Sequence, residues 1–282
     1  MTPSYEAVMR YLKMNGAGND FVIFDARAAG GFALTPDEAR AIADRDDGVG
    51  CDQIIALERS ERGDAFMRIW NADGGQVEAC GNAARCVGWL LMQEGGKSAA
   101  SIDSVAGLLQ ATNAGPHRVA IDMGPPRLGW TEIPVARQTD TVRMDYAATL
   151  PNGETLAGPG GVNMGNPHAV FFVANADAIP AEIIGPQIEH DPFFPERVNV
   201  GFAQILSPNA MRLRVWERGV GLTKACGTGA CAAVVAAHRA GLTGRKVSVR
   251  ADGGELEIDW RDDGHVIMTG PVAMERVGEM AA

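Results

Sequence analysis

Aromatic side chains are scarce: three Tyr, five Trp and nine Phe supply only 6% of 282 residues. That shortage excludes a core built mainly on stacked rings, and 35 glycines point instead to many close backbone approaches. Basic residues are also short, 25 against 35 acidic ones, for a formal net charge of −10. Nucleic-acid binders are usually basic where they meet phosphate, so neither DNA nor RNA is an expected partner. No apolar run reaches the roughly 18 residues of a membrane span, and residues 1–13 hold no signal-peptide core, so the chain is expected in the cytoplasm and off the membrane. Cysteine is sparse and odd in number, five in all, which fits reduced thiols rather than a disulfide framework. What is present is ordinary globular composition, 46% hydrophobic and 21% charged, in a chain about twice the usual domain length of ~150 residues. Two domains are the expectation.

An internal repeat supports that expectation. Arg68 and Trp70 recur as Arg214 and Trp216, and Cys80-Gly81 recurs as Cys226-Gly227, each 146 positions later. At the same offset Gly95 falls on Gly241, Gly107 on Gly253, and Gly124-Pro125 on Gly270-Pro271. The Gly18-Asn19 and Gly165-Asn166 pair, offset by 147, extends the match toward the start of each half. Chance would scatter such coincidences, whereas these are ordered along the chain.

Local patterns agree. Residues 66–70 and 211–216 alternate apolar with polar, the period of a half-buried strand. The stretches 80–92 and 226–240 are apolar nearly all round and should be buried helices stopping at Gly95 and Gly241. Further short strands are expected at 100–110, 118–123, 246–250, 255–260 and 265–269. Thr35-Pro36-Asp37-Glu38 signals one more helix, running to about residue 45. The fold class is therefore α+β, with two homologous domains, each a curved antiparallel β-sheet or barrel wrapped around a central helix. The first would span 1–127 with a returning tail, 272–282; the second would span 128–271, and the active site would lie in the cleft between them.

The repeat places Cys80 and Cys226 at matching positions, at or just before a buried helix. Helix-terminal N–H groups stabilise a thiolate and would lower its pKa. Two such thiols on opposite sides of a carbon could invert it, one removing a proton and the other returning one. Cys51, Cys86 and Cys231 read as packing residues. Zinc is disfavoured because Cys80 and Cys86, and Cys226 and Cys231, lack the tight turn-borne spacing of structural zinc sites. A redox dithiol remains a competing reading.

These features belong to a larger set of motifs. Lys13-Met14-Asn15-Gly16-Ala17-Gly18-Asn19-Asp20-Phe21, Gly48-Val49-Gly50-Cys51-Asp52-Gln53, Asn71-Ala72-Asp73-Gly74, Cys80-Gly81-Asn82-Ala83-Ala84-Arg85-Cys86, Gly165-Asn166-Pro167-His168, Arg197-Val198-Asn199-Val200-Gly201-Phe202, Trp216-Glu217-Arg218-Gly219 and Ala225-Cys226-Gly227-Thr228-Gly229-Ala230-Cys231 resemble, in order, the motifs of diaminopimelate epimerases. The resemblance implies a cofactor-independent isomerase that interconverts LL- and meso-2,6-diaminopimelate in lysine and peptidoglycan precursor synthesis, with no metal. It implies catalytic roles for Cys80 and Cys226, and tuning of the thiols by His168 and Glu217. Substrate contacts would fall on Asn19, Gln53, Asn71, Gly81, Asn82, Asn166, Asn199, Glu217, Arg218, Gly227 and Thr228. The related proline and hydroxyproline racemases also pair cysteines, but Gln53 and Glu217-Arg218 favour a substrate with a second charged head. The Tyr that often assists dimer formation in the family is replaced near Arg276, so a homodimer would have to form without it.

Overall fold

The computed structural model describes residues 8–29, 31–78 and 80–281. The chain divides into two compact units: one runs to Ile121 and resumes at Gly270, and the other is Asp122–Thr269.

In the first unit, Val8–Gly16 pairs antiparallel with Ala273–Ala281 and with Asn19–Asp25. Asn19–Asp25 runs parallel to Gln53–Glu58, which pairs antiparallel with Ala65–Asn71. Ala65–Asn71 pairs antiparallel with the short Gln76–Val77 and parallel with Ala99–Ser104, which turns back into Gly107–Asn113. The second unit repeats this order. Gly160–Asn163 is antiparallel to Pro167–Phe172, which is parallel to Asn199–Ser207, itself antiparallel to Ala210–Glu217. Ala210–Glu217 again takes a short antiparallel partner, Gly221–Thr223, and a parallel one, Lys246–Ala251, followed by Gly254–Trp260.

Most pairings are antiparallel, as the strand pattern suggests, but each unit has two parallel ones. Both fall where the chain inserts a helix, because parallel neighbours need a crossover long enough to hold one. The first crossover carries α1 (Pro36–Ala43) in one unit and α3 (Ala181–Glu189) in the other. The second carries α2 (Gly81–Gly95) and α4 (Gly227–Arg239). Helix α1 starts as its sequence signal indicates. Glu38 N donates to Thr35 Oγ1 at 3.3 Å while Thr35 N donates to Glu38 Oε2 at 2.7 Å, a reciprocal capping box.

The central strands of each unit are buried on both faces. In the first unit Val22, Phe24, Ile54, Ala56 and Trp70 pack under α1, and the alternate residues Phe21, Ile23 and Ile55 are buried too. In the second, Ala169, Phe171, Val200, Phe202 and Trp216 pack under α3. Helices α2 and α4 cover the opposite faces and are buried along nearly their whole length.

Glycine permits that closeness. A Cβ on Gly88 of α2 would lie 2.5 Å from the Cβ of Ala111. Gly88→Ala is therefore a test of fit. Alanine gains about 1 kcal/mol of helix propensity over glycine, whereas overpacking a close-packed core costs about 1–3 kcal/mol. With a backbone-fixed Cβ as the obstacle, the steric term should win, and a denaturation midpoint should show a net loss of up to about 2 kcal/mol. The helix stops are also glycines. Gly241 takes φ +71° after α4 as expected, but α2 continues through Gly95 and the left-handed residue is Gly96 at φ +58°.

Candidate active site

Strand direction gathers the polar residues at one end of each sheet. Asn19 and Gln53 begin two parallel strands and Asn71 ends the antiparallel strand beside them, so all three share one sheet end. Since Ile54 and Trp70 face α1, their neighbours Gln53 and Asn71 face α2. Cys80 is the N-cap residue of α2, with Gly81 and Asn82 opening the helix. In the second unit His168 and Asn199 stand side by side near the starts of parallel strands, and Glu217 ends the antiparallel one. Trp216 packs with the α3 core, which turns Glu217 toward α4, where Cys226 is the N-cap residue. The same arithmetic of register thus puts a cysteine and a polar cluster at corresponding places in both units.

The first cluster is a directed chain of hydrogen bonds. The buried Arg85 donates to Asn82 Oδ1 at 2.9 Å, Asn82 Nδ2 to Asn19 Oδ1 at 2.6 Å, and Asn19 Nδ2 to Asp52 Oδ2 at 3.4 Å. A guanidinium at one end and a carboxylate at the other fix both amides in one orientation. Asp52 also accepts Asp20 N at 2.9 Å, and Arg45 bridges Asp20 and Asp52 at 2.8 and 2.7 Å. Burial opposes ionisation of Asp20, yet Arg45 and Asn15 hold its carboxyl below the ordinary value. Beside this chain Gln53 Nε2 donates to Asn71 Oδ1 at 2.9 Å, leaving Gln53 Oε1 buried with no hydrogen-bond partner. An orphaned buried acceptor costs about 1–3 kcal/mol, and such a group is ready for a donor from a ligand.

The second cluster is built around the thiol of Cys226, which is 6% exposed. Gly229 N donates to its Sγ at 3.3 Å and Thr228 Oγ1 lies 3.5 Å away. Glu217 hydrogen-bonds the same thiol and also accepts Thr223 Oγ1. The sequence leads to the expectation of a lowered thiol pKa at this helix start. The structure reverses the direction: burial pushes the Cys226 thiol well up, the Glu217 carboxylate adds to it, and Thr228 and Gly229 only partly offset them. Desolvation of a sulfur anion outweighs two donors. Burial raises Glu217 as well, against the bonds from Thr223 and Cys226. The pair therefore rests as a neutral thiol beside a carboxyl that holds its proton more readily than usual. No carboxyl occupies the matching place in the first unit, where residue 71 is Asn.

His168 is fully buried, with Nε2 2.9 Å from Asn166 Oδ1 and Nδ1 without a hydrogen-bond partner. Burial, reinforced by the Arg218 charge, lowers its pKa to about 3. The imidazole is neutral at physiological pH, and the sign of its effect on stability follows. The unfolded chain, with His near 6.5, binds a proton that the folded chain refuses between pH 6.5 and 3, so stability falls with acid across that window. By pH 5 the loss from this group should be roughly 2 kcal/mol, readable as a drop in the unfolding midpoint that His168→Asn removes.

Asn199 joins the cluster by donating to Pro167 O at 2.8 Å and accepting Arg218 N at 2.9 Å. The Arg218 side chain does not: its Nη1 donates to Glu196 O at 2.9 Å on an exposed edge. Burial raises Cys51 and Cys86 to about 12, which suits packing. Arg276, standing where the dimer Tyr was expected, lies over the Tyr11 ring at 5.8 Å and donates to Val49 O at 3.4 Å. Among the described residues no cluster of three His, Cys, Asp or Glu could hold a metal, and no helix is long and apolar enough to cross a membrane. Sequence reading missed Asp52, Arg85, Thr223 and Glu189. The first two stand inside quoted motifs, where Asp next to Gln53 and Arg within an apolar helix were available signals.

Comparison with known proteins adds an independent line. A family model described as diaminopimelate epimerase matches residues 11–129 and 161–275. A diaminopimelate epimerase from Phenylobacterium zucineum is 58% identical over 96% of this chain and 97% of its own. One from Acidiphilium cryptum is 53% identical over 98% of each. Among solved structures, a hydroxyproline epimerase from Agrobacterium vitis superposes with a TM-score of 0.70 at 16% identity, covering 98% of this chain and 93% of that one. A PhzF-family protein from Bacillus anthracis gives 0.66 at 14%, covering 98% and 100%. These two likenesses establish a shared fold.

Proposed function

We propose that this chain, which belongs to the diaminopimelate epimerase family, interconverts LL- and meso-2,6-diaminopimelate in the cytoplasm, with Cys80 and Cys226 as its two acid/base groups and no cofactor. The observation that carries the residue assignment is the matched register. Each unit presents an N-cap cysteine to the polar residues at the same end of its sheet.

In this reading one sulfur, as thiolate, takes the α-proton as the Cα–H bond breaks, and the other, as thiol, gives its proton to the opposite face. One C–H bond is lost and one formed, and the enzyme is left with its proton on the other sulfur. Before the next turnover in the same direction the two sulfurs must exchange protons with solvent. Glu217 is the group that can hold the Cys226 proton during that exchange. Charge developing on the substrate carboxylate would be stabilised by N–H groups at the starts of α2 and α4, from Gly81, Asn82, Gly227 and Thr228. The substrate ammonium would satisfy Gln53 Oε1. Asn19, Asn71, Asn166, Asn199 and Arg218 would complete recognition of the two heads, where mismatched polar groups discriminate strongly.

The test is α-proton exchange. Incubation in D2O with LL-diaminopimelate should give deuterium at the α-carbon and a changing diastereomer ratio, while L-proline should remain protiated. Exchange with proline and none with diaminopimelate would move the assignment to the racemases. Cys86→Ala should leave turnover within about threefold of the parent, its effect confined to stability, because Cys86 is packed within α2 rather than standing at the helix start as Cys80 does.

A further inference from the structure

The geometry points to Glu189, the last residue of α3, as the positioning residue for the Glu217–Arg218 turn, an inference that rests on the epimerase reading above. Its side chain is 3% exposed, yet nothing in the proposed chemistry uses it. The carboxylate is held by the residues on either side of Glu217-Arg218. Oε2 accepts the Trp216 indole Nε1 at 2.7 Å, and Oε1 accepts the Gly219 backbone N at 2.9 Å. Arg197 Nη1 approaches Oε1 at 3.4 Å and His190 Nε2 at 3.9 Å. Arg197 takes φ +60°, a left-handed conformation uncommon for a residue with a side chain.

Independent features show that the clamp is built. Gly185 of α3 sits so close to Trp216 that an added Cβ would lie 2.5 Å from the indole, which fixes the ring that Glu189 binds. Asn199 holds the Arg218 amide from the other side at 2.9 Å. The first unit has a counterpart at the matching place. Arg40 of α1 donates to Asp73 O at 2.8 Å, and Asp73 corresponds to Gly219 at the 146-residue offset. In both units the helix of the first crossover ties down the turn that follows the site-bearing strand. The polarity is opposite, a guanidinium on a carbonyl in one and a carboxylate on an amide in the other. Arg40 is half exposed, so its tie is weak, whereas that of Glu189 is buried.

The two donors use different oxygens of the Glu189 carboxylate, and an amide offers only one oxygen across those two places. Glu189→Gln would turn an NH2 group toward one of two N–H donors and release one side of the turn. Arg218 would then lose its fixed origin, and the loss should fall on substrate binding. The expected result is a rise in KM for LL-diaminopimelate of about tenfold with kcat changed less than about threefold. Combined with Arg218→Lys, the double variant should lose little more than Arg218→Lys alone, because one change acts through the other. Additive losses, or an unchanged KM in Glu189→Gln, overturn the proposal.

Hydrogen exchange at the Gly219 amide and the Trp216 indole gives a readout free of activity. Faster exchange in Glu189→Gln supports the clamp and unchanged exchange overturns it, even if the parent protein fails to turn over diaminopimelate, which would refute the epimerase reading separately. If Glu189→Gln does not fold, Trp216→Phe removes one donor while Glu189 keeps Gly219. It should raise KM in the same direction by a smaller factor, and an unchanged KM there also counts against the clamp.

Discussion

Cys226→Ala should lower epimerisation of LL-diaminopimelate by about 10³-fold or more, and Cys80→Ala should do the same, since positioned acid/base groups contribute about 10²–10⁴-fold each. Stereochemistry alone already demands both sulfurs. Inversion needs a proton to leave one face and another to arrive at the other, so one remaining sulfur can do only half of the work. Each single variant should therefore keep part of the exchange reaction. One stereoisomer presents its α-proton to the remaining sulfur and should take up deuterium from D2O without inverting. The other isomer should stay inert, and the two variants should have opposite preferences. Loss of structure does not explain such a pattern. Alanine at an N-cap costs helix stability, but a misfolded protein would lose exchange with both isomers alike.

The second large effect is expected at Glu217. Glu217→Gln keeps an oxygen to accept Thr223 Oγ1 and removes the carboxylate beside Cys226. Turnover should fall about 10²-fold, because a buried thiol raised well above its ordinary pKa loses the neighbour that can hold its proton. The pH profile carries the sign. The carboxylate raises Cys226, so its removal lets the thiol ionise at lower pH, and the alkaline limb of the rate should move down. A uniform fall in rate with an unmoved limb would mean that Glu217 supports the site only by packing. The matching residue, Asn71, cannot hold a proton, so Asn71→Ala should change the rate without moving that limb.

Much of this site was legible in the sequence because duplication exposes it. An offset that aligns Cys80 with Cys226 and Trp70 with Trp216 marks both the strand end and the helix start, and register then places Asn71 and Glu217. Other features were hidden for physical reasons. Strands such as Pro167–Phe172 are buried on both faces, which erases the alternation by which a strand is read. Helix α3 contains Gly185 and Pro186, two residues that usually argue against a helix. The packing of Trp216 onto Gly185 makes the first necessary, and only tertiary structure reveals it. Glu189 went unnoticed with its helix. The direction of the Cys226 shift was also out of reach, because a helix start can be read from sequence but the depth of burial cannot.

The central claim is that two sulfurs share one inversion, and the isotopic content of the first turnovers in D2O tests it most directly. Two bases should give meso product carrying deuterium at the inverted carbon in every molecule, while recovered LL-diaminopimelate remains protiated. Meso product that retains its original α-proton in a measurable share would mean that one group removes and returns the same proton, and would contradict the account.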